Sequence, residues 1–151
     1  MLKYFKEEGL VNYASEQPSN WEEAVRLSCQ PLIDKGLITQ DYATEIVNNV
    51  HENGPYIVIA DQIAMPHATA DSPGVLGTGI SFTKFPGEVI FHDDSTDEDK
   101  PATLFFTLAA KEPEEHLENI THLMDLLMDE DKVEALLKTH SLDDYNQLVE
   151  G

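Results

Sequence analysis

The sequence predicts an α/β protein, a single layered domain with a mixed four- to five-stranded sheet flanked by helices. Apolar residues recur at helical spacing early in the chain, give way to β-branched runs in the middle, and return to helical spacing near the end. The length of 151 residues, 41% of them hydrophobic, suits one domain with a real core better than two. We therefore expect one domain over residues 1–151.

Two helices are predicted before the strands. The first should run from about residue 20 to residue 34, because Ser19 and Glu22 have capping-box spacing and apolar residues then recur every three or four positions. Thr39 can cap the second helix, which should stop at the "NGP" of residues 53–55. Both helices have one apolar face, so both should pack against the sheet.

Four apolar segments are the strand candidates. They are "YIVIA", "GTGISFT", "VIF" and "ATLFFTLAA", beginning at residues 56, 77, 89 and 102. "DSPG", "KFPGE" and the acidic "HDDSTDEDKP" should separate them as turns or loops. "YIVIA" and "ATLFFTLAA" are continuous apolar runs, as expected of strands covered on both faces. Helical spacing then returns over 114–128, and shorter helices are predicted at 131–138 and from a Ser141 cap to residue 149.

The composition excludes several classes of protein. Cys29 is the single cysteine, which rules out an internal disulfide and a thiolate-rich metal site, and we expect it to be a small buried helix residue. Nine basic against 29 acidic residues give a net charge of −20, so nucleic acid is not an expected partner. No apolar run is long enough to cross a bilayer, and the N-terminus does not resemble a secretory signal. We expect a cytoplasmic protein with no membrane insertion.

His67 is the main functional candidate. Pro66 fixes its own φ and pushes Met65 into extended geometry, so "IAMP" should end a strand and leave His67 at its rim. Thr69, Ser72 and the backbone amides of the following loop are neutral donors near the ring, in a pattern that resembles an anion cradle. Taken alone, such a histidine is more often a residue that caps a surface loop.

The remaining candidates do not form a metal site. His116 begins the predicted helix of "EPEEHLENITHL" and can reach a neighbouring loop. His122 lies six residues later, roughly 120° round the helix, so the two would not chelate one ion. The acidic run 93–99 lacks the EF-hand pattern and its glycine. We expect neither a metal nor a cofactor.

At "IAMPHA" and "EEHLENITHLMDLLMDED" the sequence resembles the enzyme IIA domains of the bacterial sugar phosphotransferase system, of the fructose–mannitol type. The resemblance covers nearly the whole chain. In that family a strand-end Pro-His pair carries the phosphorylated histidine, which matches His67, and a second histidine that begins a later helix matches His116. "GPY" and "AMPH" resemble the ascorbate branch more closely. The resemblance therefore implies a phosphocarrier for uptake of a sugar, with L-ascorbate as the preferred candidate.

The resemblance also implies partners and roles. His67 would take a phosphoryl group from the carrier protein HPr through Nε2, with Nδ1 held by a backbone carbonyl, and pass it to a cysteine of the cognate enzyme IIB. The membrane enzyme IIC would move the sugar. His116, Thr69 and Ser72 would stabilise the phosphoryl group. Mannitol-type members place an arginine nearby, and His51 or an adjacent polar residue stands there in this chain, so transfer should be more sensitive to pH.

Other functions stay open at this point. Similar domains act as nitrogen-type regulators that bind other proteins, and an interaction module could keep the fold without the chemistry. A metal-dependent hydrolase is disfavoured because the ligand spacing is missing. The oligomeric state is also open, with a homodimer as one alternative.

Overall fold

The computed structural model describes residues 1–69 and 72–150. Its five strands are β1 (Val11–Tyr13), β2 (Val58–Ala60), β3 (Gln62–Ala64), β4 (Gly79–Asp93) and β5 (Glu98–Ala109). The helices are α1 (Leu2–Glu7), α2 (Trp21–Asp34), α3 (Gln40–Asn53), α4 (Pro113–Leu127), α5 (Glu130–Leu137) and α6 (Leu142–Glu150). No helix in these two ranges is long and apolar enough to span a membrane.

The strands form one mixed sheet in the order β1-β4-β5-β3-β2. β4 and β5 are an antiparallel hairpin at its centre. β1 lies parallel to β4 and β3 lies parallel to β5, while β2 pairs antiparallel with β3 at the edge. The fold class expected from the sequence, a mixed sheet flanked by helices, is confirmed.

Helices cover both faces of the sheet. Successive strand residues point to opposite faces, so Phe105 packs into the core under α2 and α3, whereas Phe106 packs with Phe5, Phe82 and Tyr145 on the other side. All five of these side chains are fully buried. The continuous apolar run of β5 is thus covered on both faces, as its sequence indicates.

The predicted helices are present, with one change of cap. α2 begins after Asn20, whose Oδ1 accepts a hydrogen bond from the Glu23 amide at 2.8 Å, so Asn20 and not Ser19 is the N-cap. α3 follows Thr39 and ends at Gly54, which has a φ of 82°. Cys29 is buried in α2, and burial raises the pKa of its thiol to about 12.

Two predicted loops lie largely within strands. β4 runs through "KFPGE", and a shift of register between Lys84 and Val89 accommodates Pro86. The Gln17 side chain satisfies the bulged backbone by accepting from the Gly87 amide at 2.8 Å and donating to its carbonyl at 3.1 Å. In the acidic "HDDSTDEDKP", both ends belong to the hairpin strands and only residues 94–97 form a turn. Long pairing between β4 and β5 therefore overrides the local turn signals.

The expectation that "YIVIA" is covered on both faces is wrong. Only Val58–Ala60 is a strand, and it lies at the edge of the sheet with Ile59 37% exposed. α1 and β1 are additional short elements that the apolar patterns did not predict. Both are held by tertiary contacts, since Phe5 is fully buried and Leu10 and Val11 flank β4.

Candidate active site

The backbone around His67 is held firmly after the end of β3. The Met65 amide donates to the Ile57 carbonyl at 2.7 Å, and the Leu108 amide donates to the Pro66 carbonyl at 3.0 Å. The Nδ1 atom of His67 lies 2.6 Å from the Met65 carbonyl oxygen. A carbonyl can only accept, so Nδ1 carries a proton, and in the neutral ring the lone pair lies on Nε2. This tautomer is the one that a nucleophilic imidazole needs.

Two tyrosines hold the peptide bond that follows His67. The Tyr56 hydroxyl donates to the His67 carbonyl at 2.6 Å. The Tyr42 hydroxyl accepts from the Ala68 amide at 3.0 Å and donates to the Leu108 carbonyl at 2.8 Å. Tyr42 is buried, and burial raises the pKa of its phenol well above the usual range. Because both ends of this peptide are fixed, the position of the imidazole is fixed too.

A second histidine faces the first. His116 lies in the first turn of α4, and its ring centroid is 5.6 Å from that of His67. The Tyr56 ring stands edge-on to His67 at 5.3 Å. Burial lowers the pKa of His116, and the nearby His67 lowers it further. Both effects disfavour the cationic form of the His116 ring.

The two histidines open into a cleft of about 690 Å³. Four parts of the chain supply its other lining residues. These are Asn49 and Asn53 of α3, Tyr56 from the segment after α3, Ala68 and Thr69 directly after His67, and Pro113 at the start of α4. None of these described residues is a lysine, arginine, aspartate or glutamate, whereas Ala70 and Asp71 lie outside the described residues. Thr69 is thus at the cleft. Polar contact here comes from hydroxyl, amide and imidazole groups.

His51 lies away from this cleft, which corrects its assignment as a phosphate-binding residue. Its Nε2 is 3.5 Å from a Glu22 carboxylate oxygen, and its ring centroid is 4.9 Å from Trp21. The reason is helical phase. Asn49 and Asn53 are one turn apart on α3 and share the face that lines the cleft, while His51, two residues from each, lies on the opposite face.

Ser72 is the second correction. Its side chain is 7% exposed and its hydroxyl donates to the Glu45 carboxylate on α3. The same hydroxyl oxygen accepts from the Gly74 amide at 3.3 Å. Ser72 therefore ties its loop to α3 and does not line the cleft. We exclude Ser72 and His51 from the candidate site.

Sequence patterns did not identify the tyrosines or the asparagines of the site. Asn49 and Asn53 have i, i+4 spacing at the end of a predicted helix, next to the "GPY" that contains Tyr56. A search for polar residues on one face of that helix would have found the asparagines. Tyr42 occupies an ordinary apolar position of the same helix, so only its tertiary hydrogen bonds show its role.

The arrangement suits transfer of a small anionic group. A histidine with a fixed tautomer and an open Nε2 can act as a nucleophile, and neutral donors around it can hold equatorial oxygens. Within 1–69 and 72–150, no three His, Cys, Asp or Glu side chains meet in an arrangement that could hold a metal ion.

Comparison with known proteins agrees with this chemistry. Residues 4–151 match the family model described as phosphoenolpyruvate-dependent sugar phosphotransferase system, EIIA 2. The chain is 34% identical over 138 residues to the mannitol-specific cryptic phosphotransferase enzyme IIA component of Escherichia coli K12, covering 91% of this chain and 89% of that protein. It is 31% identical over 121 residues to the ascorbate-specific PTS system EIIA component of the same strain, covering 80% and 76%.

Solved structures show the same fold. A putative PTS IIA (PtxA) from Streptococcus mutans has a TM-score of 0.82 at 26% identity, covering 99% of this chain and 92% of that one. Enzyme IIA-mannitol from E. coli, in its complex with phosphorylated enzyme IIB-mannitol, has a TM-score of 0.71 at 29% identity, covering 93% and 94%. The chain therefore belongs to the EIIA 2 family of the phosphoenolpyruvate-dependent sugar phosphotransferase system, and it is a phosphotransferase.

Proposed function

We propose that residues 1–151 form one EIIA domain that accepts a phosphoryl group from phospho-HPr on Nε2 of His67 and passes it to a cysteine of its cognate EIIB. The observation that carries this proposal is the 2.6 Å contact between His67 Nδ1 and the Met65 carbonyl. It leaves Nε2 as the nitrogen with a lone pair, beside a cleft of uncharged donors.

In phosphoryl transfer the protein does little covalent chemistry and mainly positions the reacting groups. The Nε2 lone pair of His67 forms a new P–N bond while the P–N bond of phospho-HPr breaks, and its electron pair returns to the donor histidine. In the second step a cysteine thiolate of EIIB attacks phosphorus and the electron pair returns to Nε2. Throughout, the proton stays on Nδ1, which donates a hydrogen bond to the Met65 carbonyl oxygen. Thr69, Asn49 and His116 would donate hydrogen bonds to the phosphoryl oxygens.

The net charge of the chain supports partners that bind briefly. The net charge of −20 would speed encounter with carriers that have basic faces, and an interface that must hand on its cargo should be small. The complex of E. coli IIA-mannitol with phosphorylated IIB-mannitol is a precedent for the second step. The membrane component EIIC would act on the sugar without contacting this chain.

L-ascorbate is the sugar that we propose, because "GPY" and "AMPH" resemble the ascorbate branch. Identities of 34% to a mannitol-specific relative and 31% to an ascorbate-specific one do not separate the two. The test is transfer from the labelled protein to purified EIIB of each type. We expect faster transfer to the ascorbate-type EIIB, and slower transfer as salt is added.

Each EIIB needs a variant that lacks its acceptor cysteine as a control, and neither variant should take the label. Faster transfer to mannitol-type EIIB would overturn the ascorbate assignment alone. A protein that is phosphorylated by HPr but passes label to no EIIB would favour the regulatory function instead.

The two tyrosines should respond differently to loss of a hydroxyl group. Tyr56→Phe removes the donor to the His67 carbonyl at the rim of the cleft, so transfer should slow by roughly tenfold while stability changes by less than about 1 kcal/mol. Tyr42→Phe leaves the buried Ala68 amide and Leu108 carbonyl without their partner, so unfolding free energy should fall by about 1–3 kcal/mol. Phosphorylation rates and urea denaturation measure both. Unchanged transfer in Tyr56→Phe would contradict its positioning role.

A further inference from the structure

We propose that His116 serves the phosphoryl group as a neutral hydrogen-bond donor through Nε2–H, with Nδ1 unprotonated both before and after His67 is phosphorylated. This inference rests on the proposed function of His67 and goes beyond it by assigning the protonation state of the second histidine. A cationic His116 would attract the phosphoryl charge, whereas a neutral one directs a single hydrogen bond. The two alternatives differ in charge, in tautomer and in the side chains that could replace the histidine.

The first observation is the environment of Nδ1. This atom is shielded from solvent and has no hydrogen-bond partner within residues 1–69 and 72–150. An imidazolium carries a hydrogen on both nitrogens, so a cationic His116 would bury an N–H group without an acceptor. A neutral ring with its proton on Nε2 leaves only a lone pair at Nδ1. Because the ring lines the cleft, Nε2 is the nitrogen that remains to face it.

The second observation is the place of His116 on its helix. It is the fourth residue of α4, and its own amide donates to the Glu112 carbonyl at 3.0 Å. The first turn of a helix carries partial positive charge, which disfavours a further cation. Glu114 and Glu115, in the same turn, would act in the opposite direction. Burial of the ring lowers the pKa of His116, and the nearby His67 lowers it further.

The third observation concerns the groups that face His116 from other elements. His67 approaches from the end of β3, and Tyr56 lies in the segment after α3. Asn49 and Asn53 face the cleft from α3 and do not titrate. Among the described lining residues, therefore, there is no carboxylate that could stabilise an imidazolium at His116.

A site made of neutral donors suits a carrier. Uncharged donors orient the phosphoryl oxygens without the strong attraction that a fixed cation would add. The phosphoryl group is then easily given up to the next acceptor. The P–N bond still forms and breaks only at His67, and no proton leaves or joins His116 during transfer.

Two matched substitutions test the proposal. The amide nitrogen of glutamine is as many bonds from Cα as Nε2 of histidine, whereas that of asparagine corresponds to Nδ1. Neither side chain can carry a positive charge. We expect transfer from phospho-HPr to fall less than about tenfold in His116→Gln and roughly 10²–10³-fold in His116→Asn, since one lost donor to a developing anion costs about that much. Equal losses in both variants would overturn the proposal.

The wild-type chain provides a second measurement that does not depend on how the variants fold. The protein, labelled with ¹⁵N-histidine, is compared before and after phosphorylation by enzyme I, HPr and phosphoenolpyruvate, using imidazole ¹H–¹⁵N correlations at neutral pH. We expect His116 to show the Nε2–H tautomer in both states. A doubly protonated His116 or an Nδ1–H tautomer would overturn the inference while leaving His67 as the carrier. Absence of any phosphohistidine would overturn the proposed function, and this inference with it.

Discussion

Replacement of His67 by glutamine is expected to abolish phosphorylation by HPr. The variant keeps a polar side chain of similar size but has no imidazole lone pair to form a P–N bond. Label from phosphoenolpyruvate, passed through enzyme I and HPr, should fall to background. Because His67 is only half-buried at the end of β3, unfolding free energy should change by less than about 1 kcal/mol. Loss of label would then report chemistry and not folding.

His122→Gln is the matched control for this experiment. His122 is also a histidine, but it is exposed on α4 and does not line the cleft. The control should take up label at the wild-type rate. If His67→Gln were still labelled with an acid-labile phosphate, another residue would have to be the carrier.

Phe82→Ala is expected to cause the largest loss of stability. Phe82 is fully buried on β4, with ring centroids 5.1 Å from Phe106 and 5.9 Å from Tyr145. It joins α1 and α6 to the same face of the sheet, so its removal leaves a cavity that several elements share. Unfolding free energy should fall by about 3–5 kcal/mol, measured by urea denaturation.

Met128→Ala is the control for this loss, because the Met128 side chain is 79% exposed at the end of α4. Its effect should stay within about 0.5 kcal/mol. A change below about 1 kcal/mol in Phe82→Ala would contradict the packing described for this face.

Local sequence patterns predicted most of the helices and the position of His67 directly after a strand end. The apolar positions of α3, such as Ile46 and Val50, recur at helical spacing and are buried as expected. The stiff backbone of Met65-Pro66 does place His67 after a strand end, since φ of proline and the geometry before it are local properties. That His67 meets His116 across the cleft is a tertiary fact, which family resemblance supplied and spacing alone could not.

Tertiary contacts explain two of the failed predictions, and helical phase explains a third. "KFPGE" has the composition of a turn, yet the long pairing of β4 with β5 carries the strand through it as a bulge. The resemblance puts His51 or an adjacent polar residue where mannitol-type members have an arginine, whereas helical phase places Asn49 and Asn53 at the cleft. Ser72 has a suitable hydroxyl, but Glu45 on α3 takes its hydrogen bond. For "KFPGE" and for Ser72 the deciding partner is distant in sequence.

We propose that Nε2 of His67 carries the phosphoryl group. The most direct test of this proposal is ¹⁵N and ³¹P NMR of the wild-type protein, labelled with ¹⁵N-histidine and phosphorylated by HPr. We expect one phosphohistidine, at His67, with phosphorus bonded to Nε2 and the proton retained on Nδ1. Phosphorus on Nδ1 of His67, on His116 or on any other side chain would contradict it.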